Sequence, residues 1–157
     1  MNALSDRAEL VELLGHYADI ADLKEFTELP GRVFTDPVTL DFGSVADIPP
    51  MTVPLADYVE NLRGAFAFYT ATHHAITGHV VDVDGDRAKI HAHVRADHWV
   101  SDELAGGGPN HWLVVGFYDN EAVRTAAGWR LDRVKLTSAH QDNPHLSSVA
   151  LAAAQAS

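Results

Sequence analysis

Histidine is the side chain in this sequence best suited to acid–base chemistry, and His98 occupies a distinctive position. Residues 87–100 alternate between two faces, and the face that ends at His98 otherwise carries only apolar residues. His98 is therefore the one titratable group of that face, where burial and a carboxylate partner could tune its pKa near neutral pH. The alternative role is a core histidine hydrogen-bonded to the backbone.

A second candidate histidine stands at the head of the preceding strand. His73 and His74 are adjacent, so only one of them can share a face with His98. A two-residue turn at Asp84-Gly85 places His73 on that face, whereas a three-residue turn with a left-handed Gly85 places His74 there. The bulky apolar residues are divided between the two registers, with Val81 and Val83 for the first and Ile76 and Val80 for the second. The sequence leaves the choice open.

Asp22 is the carboxylate best placed to serve such a histidine. Apolar residues recur at helical spacing from Leu10 to Ala21, which predicts a helix that ends near Asp22. Asp22 lies at the edge of the apolar stripe and Asp19 points nearly opposite, so only Asp22 can face a core or pocket. An aspartate bonded to one imidazole nitrogen fixes the tautomer and stabilises the imidazolium. A solvated carboxylate at a helix end is the alternative role.

The secondary structure predicted to position these side chains is mainly helical in the first part of the chain and consists of strands after Thr72. Helical spacing predicts a short helix over residues 23–33 and a third helix from Pro54, with a strand over residues 38–42 between them. After Thr72 the period becomes two, and four strands are predicted over residues 75–83, 87–100, 111–118 and 128–137. Helices followed by a meander of strands predict an α+β fold, in which the helices cover one face of a curved antiparallel sheet and leave a pocket between.

Composition excludes several classes of function. The length of 157 residues predicts one domain, assigned to residues 1–145, with a short alanine-rich tail or helix over residues 146–157. Cysteine is absent, which excludes thiolate metal sites and cysteine nucleophiles. The net charge of −11 disfavours nucleic acid as a partner. There is no apolar run of about eighteen residues and no leader-like segment, so we expect no membrane span and a cytoplasmic location.

Several short segments occur in an order that is similar to a known family. They are YADIADLKEF at residues 17–26, the strand at 38–42, THH at 72–74, VDGDRA at 83–88, RADH at 95–98 and GWRL at 128–131. Together they resemble the SnoaL-like branch of the nuclear transport factor 2-like superfamily over roughly residues 5–140. The resemblance implies a cone-shaped α+β barrel, with a curved sheet wrapped around the N-terminal helices and a central pocket. It also implies catalysis without a cofactor and assembly as a homodimer or homotrimer.

Within that branch the chain is most similar to scytalone dehydratase and hexachlorocyclohexane dehydrochlorinase. In both, an aspartate ends the first helix and a histidine follows Thr-x at the head of a strand, which matches Asp22 and His74. The second histidine of the dehydratase matches His98.

The chain also departs from both enzymes. The two substrate-orienting tyrosines of the dehydratase fall on Ala21 and Phe42, its pocket asparagine falls near Val115, and the pocket lysine of the dehydrochlorinase falls on Tyr17. These differences imply a substrate other than scytalone and disfavour chloride elimination.

We therefore expect a cofactor-independent lyase, isomerase or cyclase that acts on a hydrophobic, oxygenated small molecule. His74 and His98 would divide the base and acid roles, with Asp22 orienting and charging one of them. The residues expected to contact the substrate are Tyr17, Phe42, Tyr58, Phe66, Trp112 and Val115. The alternative is a non-catalytic ligand-binding or assembly module of the same fold, which would need no Asp–His pair.

Two other chemistries are less favoured. His91 and His93 share a strand face and could chelate a metal, but that face is typical of a solvated surface or a subunit contact, so we expect no metal. An epoxide hydrolase would need two carboxylates and a bridging arginine around one water. Strand parity places Arg95 and Asp97 on the opposite face from His98, which disfavours that arrangement.

Overall fold

The computed structural model describes residues 3–156. The helices are α1 (Ala3–Leu23), α2 (Leu29–Arg32), α3 (Gly43–Ala46), α4 (Leu55–Phe66) and α5 (His145–Ala156), and a 3₁₀ turn covers Phe26–Glu28. The strands are β1 (Phe34–Asp41), β2 (Met51–Val53), β3 (Tyr69–Asp84), β4 (Arg87–Val100), β5 (His111–Thr125) and β6 (Gly128–Asp142).

The strands form one curved sheet in the order β2-β1-β6-β5-β4-β3. Neighbouring strands are antiparallel except β1 and β6, which run parallel. Within residues 3–156, β2 and β3 are the edges and do not pair with each other, so the sheet is not closed. The predicted α+β class, with N-terminal helices and a curved sheet, is confirmed. The sheet differs from a closed antiparallel barrel in two respects. Its edge strands β2 and β3 are not paired with each other, and β1 and β6 run parallel.

Helix α1 packs against β3 and β6 and delivers Asp22 to the head of β3. Its buried apolar residues recur at helical spacing, at Leu10, Leu13, Leu14, Tyr17 and Ile20. The helix stops because Lys24 adopts a left-handed conformation, with φ 59°. The Glu25 N–H then donates to the Ile20 carbonyl and the Lys24 N–H to the Ala21 carbonyl, which satisfies the last carbonyls of the helix. The Lys24 ammonium also donates to the Tyr69 carbonyl at 2.7 Å, which fastens this helix end to β3.

A bulge in β3 settles which histidine faces the helices. The two-residue turn that joins β3 to β4 is Gly85-Asp86 rather than Asp84-Gly85, since Asp84 pairs with Arg87, and the register shifts between Thr77 and Val80. Gly78 accommodates that shift with a φ of +64°. On one side of the bulge Val81 and Val83 oppose buried residues of β4, and on the other side His74 and Ile76 do. Val81, Val83 and Ile76 are therefore all on the inner face, which no single turn type allows, whereas Val80 pairs with His91 and is 63% exposed on the outer face.

Several element boundaries differ from those predicted. Residues 23–33 form a 3₁₀ turn and one helical turn rather than one helix, because Pro30 stands in the first turn of α2. Strands β3, β5 and β6 extend beyond the predicted limits, since polar cross-strand pairs such as Glu121 with Arg133 continue the ladder.

The C-terminal residues form a helix that belongs to the packed structure. Helix α5 packs against α4 and buries Leu146 and Ala150, which are each 1% exposed. The division of the chain at residues 145 and 146 stays a prediction. No helix within the described part of the chain is long and apolar enough to cross a membrane.

We expect Gly78→Ala to lower the free energy of unfolding by about 1 to 2 kcal/mol, because a side chain at positive φ is strained. An added Cβ would also stand 3.1 Å from Cδ2 of His93. The matched control is Gly64→Ala in α4, where a Cβ meets nothing within 4 Å and alanine favours the helix. Urea denaturation of both variants measures the difference. Equal stability of the two variants would contradict the role assigned to Gly78.

Candidate active site

The structure brings Asp22 and His74 together at the junction of α1 and β3. Nδ1 of His74 lies 2.7 Å from Oδ1 of Asp22, and the His74 backbone N–H donates to Oδ2 at 2.8 Å. The Thr72 hydroxyl donates to Oδ1 at 2.8 Å. An ionised carboxylate can only accept hydrogen bonds, so Nδ1 of His74 is the donor and carries the proton of the neutral ring. Nε2 of His74 is then left with its lone pair.

Asp22 is held in its charged form by these contacts. Burial raises the pKa of Asp22, but the hydrogen bonds from the His74 ring, the His74 backbone and Thr72 outweigh that effect, and the pKa lies below its ordinary value of 3.8. The carboxylate is therefore ionised at neutral pH. Its negative charge lies directly against Nδ1 of the His74 ring.

His98 lies beside His74 but in a different environment. The two imidazole rings are perpendicular with centroids 5.3 Å apart, and His98 stacks on the Trp112 indole at 4.3 Å. Burial, followed by the nearby His74, lowers the pKa of His98 to about 3. His98 is thus neutral at physiological pH. Its Nδ1 is buried and has no hydrogen-bond partner among the described residues.

The expectation that a carboxylate tunes His98 near neutral pH is wrong. Asp22 contacts His74 instead, and Asp97, the residue before His98 on β4, points to the other face of the sheet. There Asp97 accepts two hydrogen bonds from Arg95, both 2.9 Å long, and lies 2.8 Å from Nε2 of His111.

A small enclosed cavity of about 30 Å³ adjoins His74. It is lined by residues of α1, α4 and the inner face of the sheet: Tyr17, Ala18, Ala21, Leu62, Phe66, His74, Ile76 and Tyr118. A larger surface groove of about 220 Å³ lies between α1, α2 and the turn joining β5 to β6, but its lining contains neither Asp22 nor the two histidines. The chemistry of the lining, rather than the volume, identifies the smaller cavity as the candidate site.

Two of the residues expected to contact a substrate line this cavity, and two others pack behind it without lining it. Tyr17 and Phe66 line it. Tyr58 lies behind Tyr17, and their hydroxyl oxygens are 2.8 Å apart. Trp112 packs beneath His98, and its indole N–H donates to the side chain of Gln141 at 3.0 Å.

The other two expected contacts are corrected by the structure. Val115 pairs with Arg95, so it lies on the opposite face of the sheet from His98. Phe42 precedes α3 and packs against the core, but it is not among the residues that line the cavity. The residue that was missed is Tyr118. Counting in twos along β5 from Trp112 reaches Tyr118, so strand parity alone places it on the inner face.

The outer face of the sheet holds the second histidine pair considered for metal binding. Nδ1 of His91 lies 2.8 Å from a carboxylate oxygen of Asp119, and the His93 ring contacts Phe117. In the part of the chain that the structure describes, no group of three or more histidine, aspartate or glutamate side chains is arranged to hold a metal ion.

Comparison with known proteins identifies similar chains. The family model of the SnoaL-like domain matches residues 2–135. The crystal structure of the Kfla4162 protein from Kribbella flavida is 67% identical, covers 94% of this chain and 99% of that chain, and superimposes with a TM-score of 0.92. A protein from Novosphingobium aromaticivorans named "Putative Scytalone Dehydratase" is 18% identical, covers 89% of this chain and 88% of that chain, and has a TM-score of 0.75. Hexachlorocyclohexane dehydrochlorinase LinA-type3 from Novosphingobium barchaimii is 16% identical. The match covers 88% of this chain and 90% of that chain, with a TM-score of 0.69.

The burial of His98 predicts a loss of stability on mild acidification. The unfolded chain protonates this histidine near its ordinary pKa of 6.5, but the folded chain does so only near 3. Unfolding between these values takes up a proton, so the stability present above pH 6.5 is lost as the pH falls toward 3. The slope approaches about 1.4 kcal/mol per pH unit for one proton.

His98→Phe, which keeps an aromatic ring against Trp112, should remove this slope between pH 7 and 5, as measured by urea denaturation. His79→Gln is the comparison, because burial also lowers the pKa of His79 but this side chain is less buried. We expect the smaller change from His79→Gln. An unchanged slope in His98→Phe would contradict the assignment.

Proposed function

Because this chain belongs to the SnoaL-like domain family of the nuclear transport factor 2-like superfamily, we propose that it is a cofactor-independent enzyme that abstracts a proton from a hydrophobic, oxygenated small molecule. The observation that carries the proposal is the contact of His74 Nδ1 with an ionised Asp22 at the wall of an apolar cavity. Cytoplasmic location and homodimeric or homotrimeric assembly stay predictions.

The proposed base is His74. With its Nδ1 proton bonded to Asp22, Nε2 accepts a proton from a carbon beside a carbonyl group or beside a leaving group. The electron pair of the broken C–H bond forms an enolate or a new double bond. Asp22 stabilises the imidazolium that results, in the way that a buried aspartate supports the histidine of a catalytic triad.

His98 is assigned a different role from His74. A group with a pKa of about 3 is neutral at physiological pH, so His98 is not the source of a proton held as an imidazolium. His98 is not among the residues that line the cavity, so a hydrogen bond between its buried Nδ1 and a substrate oxygen requires the wall beside it to move. The proton taken up by His74 is then returned either to a departing hydroxide, which leaves as water, or to another carbon of the substrate. Elimination of water, isomerisation and ring closure all share the first step.

The lining and the size of the cavity favour an apolar substrate, and Ala21 disfavours scytalone as that substrate. Leu62, Phe66 and Ile76 supply apolar walls. At about 30 Å³ the space is far smaller than the roughly 300–1,000 Å³ of a typical ligand pocket, so a substrate must displace part of the wall. Leu62 and Phe66 are only half-buried and lie on one short helix, which makes α4 the element expected to yield. Ala21 in place of a substrate-orienting tyrosine supports a substrate other than scytalone.

We expect Asp22→Asn to lower turnover by about a hundredfold or more with a much smaller change in KM. The substitution keeps the size of the side chain but removes the charge that stabilises the imidazolium. The assay follows deuterium exchange or elimination by NMR in a panel of cyclic hydroxyketones and polyketide-like compounds. The matched control is Asp19→Asn, an exposed position on the same helix.

His74→Gln should reduce turnover similarly, and the double variant with Asp22→Asn should be little worse than either single one, because members of one catalytic unit fail together. Turnover that persists in both single variants would reject the site. Ligand binding with no turnover by the wild-type protein across the panel would favour the non-catalytic module instead.

A further inference from the structure

The surface groove between α1, α2 and the turn that joins β5 to β6 is separate from the cavity beside His74. Its volume is about 220 Å³, and among residues 3–156 its lining contains none of the residues of the proposed mechanism. The charged and buried apolar residues of the lining are Glu9, Glu12, Leu13, Arg32, Trp129 and Arg130. The groove is therefore a second place at which a small molecule can contact the protein.

The carboxylates and the guanidiniums of this groove stand on different walls. Glu9 and Glu12 are three residues apart on α1, so they lie on one face of that helix. Arg32 is on α2, and Arg130 is at the start of β6. A Cβ placed on Gly128 would lie 3.8 Å from Oε2 of Glu9 and 3.7 Å from Nη1 of Arg130. The two walls therefore face each other across this glycine.

The two guanidiniums are held by neutral groups rather than by the carboxylates of the opposite wall. Arg130 donates to the carbonyl oxygens of Trp129 at 2.7 Å and of Gly31 at 2.8 Å. Arg32 can only donate, so Nδ1 of His16, at 3.0 Å, is its acceptor. Among the described residues neither arginine forms an ion pair, and each keeps further N–H groups without an acceptor. The positive wall is thus fixed in place while its charge stays available.

This division of charge selects a ligand that carries both signs. A simple anion is attracted by the arginines and repelled by the glutamates, and a simple cation meets the reverse. A molecule with an ammonium and a carboxylate can place each against the wall of opposite charge. An α-amino acid carries the two groups on one carbon, which suits walls that face each other across a single glycine. The buried apolar surface of Leu13 and Trp129 is suited to an apolar side chain.

We propose that this groove binds a free α-amino acid with an apolar side chain. The ammonium group donates to the carboxylates of Glu9 and Glu12, and the carboxylate accepts from Arg32 and Arg130. The binding involves no covalent step. It is independent of the proposed function, since the two sites share no residue among those that line them.

The test measures binding of four probes to the full chain. L-Leucine carries both charges and an apolar side chain. Glycine lacks that side chain, 4-methylpentanoate lacks the ammonium group, and 3-methylbutylamine lacks the carboxylate. Protein NMR follows the tryptophan indole N–H signals during each titration. Trp129 lines the groove and Trp112 packs beneath His98, so their signals report on different sites.

The variants remove one charge from each wall. Glu12→Gln and Arg32→Gln change exposed side chains, so both variants are expected to fold. Glu60→Gln and Arg63→Gln are the matched controls, because they change an exposed acid and an exposed base on α4, outside the groove.

In the wild-type protein leucine should bind more tightly than the other three probes and should shift the Trp129 signal. Glu12→Gln should weaken the binding of leucine and of 3-methylbutylamine by about fivefold, the upper end for an exposed ion pair, without weakening that of 4-methylpentanoate. Arg32→Gln should weaken the binding of leucine and of 4-methylpentanoate by about fivefold, without weakening that of the amine. The control variants should bind all four probes as wild type does.

The inference is overturned if leucine does not bind, or if any of the other three probes binds as tightly as leucine. It is also overturned if leucine shifts the Trp112 signal instead of the Trp129 signal, or if Glu12→Gln and Arg32→Gln bind leucine as the controls do. None of these outcomes touches the proposed function, which is tested by the turnover of the Asp22 and His74 variants.

Discussion

The structure depends on the three hydrogen bonds that the Asp22 carboxylate accepts from the head of β3. One comes from the His74 backbone, one from the His74 ring and one from Thr72. The same contacts dock the C-terminal end of α1 on the sheet, keep the carboxylate ionised despite partial burial, and determine which imidazole nitrogen is free. The left-handed Lys24 ends the helix just after Asp22 and ties it to Tyr69. The junction of α1 with β3 therefore determines the position of Asp22, its ionised state and the tautomer of His74.

The two neighbouring histidines differ because one has a carboxylate and the other has only aromatic and apolar neighbours. In the proposed mechanism His74 therefore carries the charge during turnover, while His98 stays neutral against Trp112 and contributes only hydrogen bonds. Two like-charged rings 5.3 Å apart would repel, so this asymmetry also avoids a costly doubly protonated state. The division of roles follows from burial rather than from residue type.

The bulge at Gly78 connects the fold to the site. A strand of 16 residues such as β3 has to bury valines near its turn and a histidine near its head. With strict alternation these residues fall on opposite faces, and one extra residue brings them to the same face. The bulge requires a positive φ at position 78, which glycine adopts without the strain that a residue with a side chain would have. The gain is that His74, Ile76 and the apolar face of β4 all lie against α1 and α4.

The sequence by itself determined the α+β class, the place of Asp22 at the edge of a helix and the inward direction of His98. These follow from the 3.6 and 2.0 periods, which are local properties of the chain. Tertiary structure alone decided that His74 rather than His73 faces inward and that the carboxylate serves His74 rather than His98. Those outcomes depend on the docking of α1 and on a bulge far from the turn, whose trace in the sequence is the change of apolar register across Gly78. The assignment of Val115 to the cavity was wrong for a different reason, since it followed the family resemblance near that position, whereas counting along β5 from Trp112 leads to Tyr118. Parity within one strand is visible in the sequence, but which of its side chains border an empty space is decided only when the helices pack.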